Sequence, residues 1–442
     1  MPSSASSSFR SRAGALLGSA WLVWAVRLVL GATFAVSGFV KGVDPWGSVI
    51  KIGEYFMVWD IPVPGALVVF CAFLLAAFEF VWGVLLMFGC YRRCSVWMLA
   101  LQMALMLPLT FYIMVADPVD DCGCFGDFFV ISNTATFVKN LFISLGLVYL
   151  IFFNTRAGGL YVNGVQWIIG GLVTFYILGV ELFGYNIQPM LDFRRFAPGT
   201  MLVSEEEGGE VEMEYLYARD GVTETFSLDD LPDSTWTFVE SRVAAGEVDD
   251  TDGFAIIDSE GEDIAPDIID NGTEMFIVTI PDVSRVDLSA TYLLNDLKEF
   301  MASRGGSMLA LVGSDMAHIA EWEDVAMTTY PVVRAEPRLI SELARGTAAL
   351  VYLDHGRVVW KRMLTSINGT LVSETPSGAL LDVLDPRTAH WLGSLSILFG
   401  GALLVILILD RSGKLLQWHL TRRALRRSAV KDAAASEEDK EK

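Results

Sequence analysis

The chain has 442 residues, of which 53% are hydrophobic and 19% charged, and its mean hydropathy is positive. This composition is too apolar for an ordinary soluble protein and predicts a membrane part joined to a separate soluble domain. The formal net charge of −21 is concentrated between residues 186 and 387, where 38 Asp and Glu stand against 14 Lys and Arg. Such an acidic domain excludes nucleic acid as the expected partner, because the two would repel each other.

Six apolar segments each approach the ~20 residues that a helix needs to cross hydrocarbon. In chain order they are 21–42, 65–89, 96–116, 132–153, 164–185 and 389–409. The first follows a Ser- and Ala-rich segment, 1–19, and is too long for the apolar part of a signal peptide. We therefore predict an α-helical polytopic bundle of six spans, surrounded by a lipid bilayer.

Basic residues set the predicted orientation of these spans. The segment 1–19, the loop after span two, the residues after span four and the tail 411–442 carry Arg and Lys on one side. The positive-inside rule places that side in the cytoplasm. The loop 120–127 and the acidic region 186–388 then lie outside, which predicts a bacterial inner-membrane protein with a large periplasmic domain. Beyond residue 430 the tail is charged and poor in apolar residues, so we predict disorder there.

The acidic region 186–388 shows alternating strand and helix patterns that end in a hairpin, which predicts an inserted α/β thioredoxin-like domain. Predicted strands are 210–218, 222–228, 254–257, 275–280, 308–312, 330–334, 348–353 and 357–363, and predicted helices are 287–304, 316–324 and 338–345. The segment 281–284, after the strand 275–280, reads Pro-Asp-Val-Ser where a catalytic thioredoxin carries Cys-x-x-Cys. We therefore expect this domain to bind a partner without catalysing thiol exchange.

Two of the five cysteines, Cys122 and Cys124, lie one glycine apart in the polar loop 120–127 after the third span. A disulfide between them would close a very small ring and be easily reduced, as redox-active disulfides are. The glycines of the loop permit the backbone angles that such a ring needs. Nearby Asp residues disfavour a thiolate, whereas Lys139, about two turns into span four, favours one. The alternative is that both cysteines only pack in a tight turn at the membrane surface.

The other cysteines are weaker candidates. Cys71 lies about 9 Å inside the outer end of span two at ~1.5 Å per residue, so it is a candidate resolving thiol or simply a packed side chain. Cys90 and Cys94 lie on the cytoplasmic side, where we expect structural thiols. No histidine precedes His318, so the sequence predicts no metal site near these thiols.

Two charged residues, Arg27 in span one and Glu79 in span two, fall within apolar segments. Each lies roughly 10–14 Å from the cytoplasmic end of its span. Charges at that depth are costly unless paired, so we predict an Arg27–Glu79 ion pair. It would either fix the helix register or contribute to a quinone-binding or proton-handling site.

The N-terminal part resembles the DoxX/MauE membrane family over about residues 20–155. The segments that carry the resemblance are 27–31, 37–45, 79–84, 121–127 and 139–140, with Cys-Gly-Cys-Phe-Gly the most specific. The resemblance implies a four-helix membrane core. MauE-type members are associated with maturation of the disulfide-rich methylamine dehydrogenase, and DoxX-type members with quinone-linked sulfur oxidation. A fifth span, 164–185, the domain and a sixth span, 389–410, are similar to the layout of a subgroup with a thioredoxin-like periplasmic domain.

Two classes of function fit these observations. In the first, the protein carries out thiol–disulfide or quinone-linked redox chemistry through Cys122 and Cys124. Cys71 would relay, Lys139 would tune the thiols, and Arg27 and Glu79 would bind the cofactor. In the second, the protein is a non-enzymatic scaffold whose acidic domain binds an envelope protein. A transporter is less favoured, because charged residues within the spans are few and no internal repeat is evident.

Overall fold

A computed structural model describes residues 18–119, 122–129, 131–203, 213–219, 222–226, 237–243, 254–258, 261–286 and 288–438. The chain divides into two compact units. One combines Met1–Asp192 with Arg387–Lys442, and the other is Phe193–Pro386. The sequence predictions that involve residues 1–17, Asp120, Asp121, the turn 220–221 and residues 439–442 lie outside the described residues.

The first unit is helical. Its helices are α1 (Ala20–Val43), α2 (Pro45–Val58), α3 (Gly65–Met87), α4 (Arg92–Ala116), α5 (Asn133–Phe153), α6 (Gln166–Asn186) and, at the C-terminal end, α13 (Thr388–Glu438). Within the described residues, all except α2 are long and apolar enough to cross a membrane, which confirms the six predicted spans. The protein is therefore a multi-pass membrane protein.

Helix α2 was not predicted, because it lies between the first two predicted spans, 21–42 and 65–89, and is too short to be a span itself. Asp44 begins it by accepting a hydrogen bond from the backbone N–H of Gly47, and Pro45 occupies the first turn. The helix packs against α3. Among the described residues, the bundle therefore contains a seventh, shorter helix that the hydropathy pattern alone does not predict.

Helices α1 and α3 pack backbone against backbone. A Cβ atom added at Gly38 would lie 2.3 Å from the backbone N of Phe80, and one at Gly31 would lie 2.7 Å from the carbonyl oxygen of Gly83. Glycine is thus required where the two helices meet, and the contact fixes their antiparallel register. In the same register, Arg27 lies next to Gly89. Its Nη1 atom is 2.8 Å from the position that a Cβ atom added at Gly89 would take.

The second unit is a mixed α/β domain with two sheets. Three antiparallel strands, β1 (Met213–Arg219), β2 (Val222–Phe226) and β3 (Thr237–Val243), form one sheet in the order β2-β1-β3. The other has the order β6-β5-β4-β7-β8, with strands β4 (Glu274–Ile280), β5 (Ser307–Val312), β6 (Val332–Arg334), β7 (Ala349–Asp354) and β8 (Arg357–Met363). Strands β4, β5 and β6 are parallel, and β7 is antiparallel to both β4 and β8.

The helices of this unit cover both faces of the five-stranded sheet. They are α7 (Ala265–Ile268), α8 (Leu288–Ser303), α9 (Met316–Ala326), α10 (Pro337–Leu343), α11 (Gly369–Glu374) and α12 (Leu380–Leu384). On one face, Leu294 and Leu297 of α8 pack in a core with Phe276 of β4. On the other, Ile340 and Leu343 of α10 pack with residues that include Ile277. Strand β4 is therefore buried from both sides, as parallel strands usually are.

Three predictions for local structure were wrong. Residues 254–257 do not form a strand, and only an isolated bridge joins Ile257 to Asp263. Strand β3 was missed, because its Glu and Arg residues interrupt the apolar pattern. The tail predicted to be disordered continues helix α13 to Glu438, since its Ala, Lys and Glu residues have high helix propensity.

Candidate functional site

The two thiols of the loop after α4 lie side by side. Both cysteines are free and half-buried, and Cys122 Sγ is 3.1 Å from Cys124 Sγ. Gly123 between them has a φ of 67°, and a Cβ atom there would be 3.1 Å from Lys51 Cγ. The left-handed backbone angle therefore favours glycine at this position, and any larger residue would also displace the Lys51 side chain slightly.

Side chains from α1 and α2 hold the main chain of this loop. Lys41 Nζ donates a hydrogen bond of 2.7 Å to the carbonyl oxygen of Cys124, and Ser37 Oγ lies 2.7 Å from the same oxygen. Tyr55 of α2 donates its hydroxyl to the carbonyl oxygen of Cys122 at 3.1 Å. Helices α1 and α2 thus hold the backbone of both cysteines in place.

A buried ion pair lies directly beside this anchor. Lys41 Nζ is 2.7 Å from Glu79 Oε2, and both side chains are only 7% exposed. Gln102 of α4 donates to Glu79 Oε1 at 2.7 Å, and Ser37 Oγ lies 2.7 Å from Glu79 Oε2. Ser37 donates its single hydroxyl hydrogen either to Glu79 or to the Cys124 carbonyl. The carboxylate therefore has the cation and the further hydrogen bonds that a buried charge needs.

The predicted Arg27–Glu79 ion pair is wrong. The guanidinium of Arg27 donates to the side chain and carbonyl of Asn154, to the Gly158 carbonyl at 2.7 Å and to the Ala157 carbonyl at 3.0 Å. The register of α1 and α3 explains this, because Arg27 faces Gly89, ten residues or about 15 Å along the helix direction from Glu79. The prediction failed because it compared the distances of the two residues from the ends of their helices. The ends of α1 and α3 are offset along the bundle, so equal distances do not mean equal depth.

Electrostatics distinguish the two thiols. The hydrogen bond from Cys122 stabilises the Cys124 thiolate, and together with the positive charges of Lys139 and Lys41 it lowers the pKa of Cys124 to about 6 despite burial. The same hydrogen bond and burial raise the pKa of Cys122. Lys139 Nζ lies 4.4 Å from the centre of the Phe125 ring, next to the pair. When the pair loses one proton, the negative charge is therefore favoured on Cys124 rather than on Cys122.

The loop lines a cavity of about 490 Å³ between α1, α2, α3, α4 and α5. Its polar lining includes Ser37, Lys41, Lys51, Tyr55, Glu79, Gln102, Cys122, Cys124, Lys139 and Asn140, and its apolar lining includes Leu74, Phe78, Leu101, Leu105, Met106 and Leu109. Cys71 lines the same cavity, whereas Arg27 does not. The structure thus brings five of the six sequence-predicted site residues to one cavity and leaves Arg27 outside it.

Sequence reasoning missed Ser37, Lys41 and Gln102 as partners of Glu79. Ser37 and Lys41 are four residues apart, so they share one face of an otherwise apolar helix. Gln102 is likewise a polar residue in the middle of an apolar span. Polar residues inside spans usually face the bundle interior, and this rule alone would have found all three.

Comparisons with known proteins agree with the architecture. Residues 19–153 match the family model described as Methylamine utilisation protein MauE. Residues 211–244, which contain the three-stranded sheet, match a Domain of unknown function (DUF8463). No curated protein matches the chain, and no solved structure does. The N-terminal third is therefore similar to MauE, an integral membrane protein type.

Proposed function

We propose that this protein is a membrane thiol–disulfide oxidoreductase that works through Cys122 and Cys124. The observation that carries the proposal is the 3.1 Å contact between the two free thiols, with the negative charge favoured on Cys124. A thiolate is the attacking species in disulfide exchange, and a pKa near ambient pH is close to optimal for it.

The exchange follows from the asymmetry of the pair. The Cys124 thiolate attacks one sulfur of a protein disulfide, forming a mixed disulfide and releasing the other sulfur as a thiolate. Cys122 then loses its proton and attacks Cys124 Sγ, which closes the Cys122–Cys124 disulfide and releases the second thiolate of the partner. The partner gains two electrons and the dithiol loses two. The same steps run in reverse when the partner is oxidised.

The similarity to MauE and the soluble unit support this assignment. Strands β4 and β5 with α8 between them form a parallel βαβ unit, and the β7–β8 hairpin pairs antiparallel on the other side of β4. On this topology we propose a thioredoxin-like fold for the domain, with Pro281 to Ser284 where a catalytic thioredoxin would carry its cysteines. We propose that this acidic domain lies in the periplasm and recruits the envelope protein whose thiols are exchanged.

A quinone is our candidate for the electron acceptor. The cavity fits such a molecule, because it has apolar walls and, at its polar end, hydrogen-bonding groups next to Cys124. In the direction in which the partner dithiol is oxidised and the Cys122–Cys124 disulfide becomes a dithiol, a bound quinone would take up the two electrons of that dithiol and regenerate the disulfide. Glu79 and Lys139 line the space that would hold it, whereas Arg27 is committed to Asn154 and the following turn. Cys71, in the same cavity, remains our candidate for a relay thiol.

Thiol trapping in native membranes tests the proposal. Membranes are treated with a polymer-linked maleimide before and after reduction, and the wild-type chain is compared with Cys122→Ser and Cys124→Ser. We expect the wild-type pair to cycle, and Cys122→Ser to accumulate a mixed disulfide through Cys124, because the resolving thiol is gone. Cys124→Ser should trap far less, because the pKa of Cys122 is raised.

Cys94→Ser is the matched control, since Cys94 is exposed and lies at the start of α4, remote in sequence from the loop. It should leave cycling unchanged. If Cys122 and Cys124 stay reduced under oxidising conditions and no variant captures a partner, the redox assignment is wrong. The protein would then be the scaffold that the sequence also allowed.

A further inference from the structure

The cavity opens through the side of the bundle. Leu74 of α3 and Leu101 and Leu105 of α4 line it, yet their side chains are 55%, 60% and 68% exposed. Each lies at least nine residues, or about 13 Å, from either end of its helix. These leucines therefore face the hydrocarbon of the bilayer, and the opening admits molecules from the lipid phase.

The polar end of the cavity is cationic. Lys41, Lys51 and Lys139 line it, and Glu79 is the acidic residue among the described lining residues. Glu79 balances Lys41, and Lys51 pairs at 3.1 Å with Glu54 outside the lining. No described carboxylate that lines the cavity pairs with Lys139. Among the described lining residues other than Glu79, which balances Lys41, only a thiolate on the cysteine pair can balance the charge of Lys139, so an electroneutral pair leaves an excess positive charge among them.

We propose that the cavity binds a single-chain lipid carboxylate, with its headgroup at Lys139 and its tail between Leu101 and Leu105. The volume of about 490 Å³ is typical of a small-molecule site. A carboxylate accepts hydrogen bonds and offers none, which matches an ammonium donor. The apolar walls and the lateral opening match the chain. The carboxylate would occupy the same cavity as the proposed quinone and compete with it, but its binding requires no reaction of the thiols, so it goes beyond the proposed redox function.

Photo-crosslinking of the full chain tests this inference. The protein is placed in nanodiscs of phosphatidylcholine and exposed to a diazirine-bearing palmitic acid or to the diazirine-bearing hexadecanol. Labelled peptides are then mapped by mass spectrometry. We expect the acid to label α4 around Leu101 and Leu105 at least about fivefold more than the alcohol does. Equal labelling by both probes, or uniform labelling of all exposed spans, would overturn the inference.

Variants separate the headgroup site from the tail site. Lys139→Gln should reduce labelling by the acid about tenfold, the value of one charge-assisted hydrogen bond, and leave the alcohol unchanged. Leu101→Trp should block labelling by both probes. Leu145→Trp, at an exposed leucine of α5 outside the cavity, is the matched control and should label normally. Unchanged labelling of both Lys139→Gln and Leu101→Trp would refute the site.

The double variant Cys122→Ser, Cys124→Ser allows the redox proposal and the carboxylate site to be tested separately. It abolishes disulfide exchange by design, yet it should keep or increase labelling by the acid, because no thiolate then competes for Lys139. Loss of labelling in this variant would contradict the carboxylate site. If thiol trapping fails in the wild-type chain while labelling by the acid is normal, only the redox proposal is refuted.

Discussion

Replacing Lys41 with methionine should destabilise the bundle more than replacing any exposed lysine. The ammonium of Lys41 pairs with Glu79 at 2.7 Å, and both side chains are 7% exposed. Removing one partner of a buried pair costs about 3–5 kcal/mol, because the remaining charge stays buried without its counterion. Lys51 offers the matched control, since its pair with Glu54 has side chains 25% and 35% exposed. Lys51→Met should cost only about 0.2–1 kcal/mol.

A double-mutant cycle measures this difference. The variants Lys41→Met, Glu79→Leu and their combination are unfolded by SDS in mixed micelles, and helix loss is followed by circular dichroism. Because an apolar pair of similar volume can replace a buried ion pair at little cost, the double variant should recover about 2 kcal/mol relative to additivity. A coupling free energy below about 0.5 kcal/mol, or equal costs for Lys41→Met and Lys51→Met, would refute the reasoning.

Two further predictions concern the thiols and the helix contact. Alkylation of Cys124 by iodoacetamide should be half-maximal near pH 6, because the thiolate exists above a pKa lowered to about 6. Lys139→Met should move that midpoint upward, since the loss of a nearby cation raises the pKa; an unchanged pH profile would speak against the role of Lys139. Gly38→Leu should abolish a monodisperse peak in size-exclusion chromatography, because its side chain would collide with the backbone of Phe80, whereas Gly53→Leu, in open space, should not. Normal elution of Gly38→Leu would disprove the close packing of α1 and α3.

Hydropathy predicted the membrane spans well, because each must present about 20 apolar residues to lipid whatever else it contacts. It could not predict α2. That helix is only 14 residues long and mixes Lys51 and Glu54 with aromatic residues. Its start is nevertheless encoded locally by Asp44 and Pro45, which are typical of a helix N-terminus.

Most residues of the candidate site could be selected from the sequence, but their assembly could not be predicted. Cys122, Cys124 and Lys139 could be selected from residue type and spacing. The partner of Glu79 could not, because it depends on the register between two helices, and that register is set by glycine contacts such as Gly38 against Phe80. Counting residues from the helix ends compares the depths of two residues in the membrane only when the two ends lie at the same level. The neighbouring ends of α1 and α3 do not. Distances between spans are tertiary information that periodicity does not contain.

The hydrogen bonds to the carbonyl oxygen of Cys124 have a consequence for how any partner must approach. A loop whose backbone is fastened to the first span cannot swing outward to meet a docked protein. In the proposed exchange, the sulfurs of the partner must therefore reach the half-buried pair themselves. This geometry favours a partner whose disulfide lies on a protruding segment over one whose disulfide lies in a flat or recessed surface.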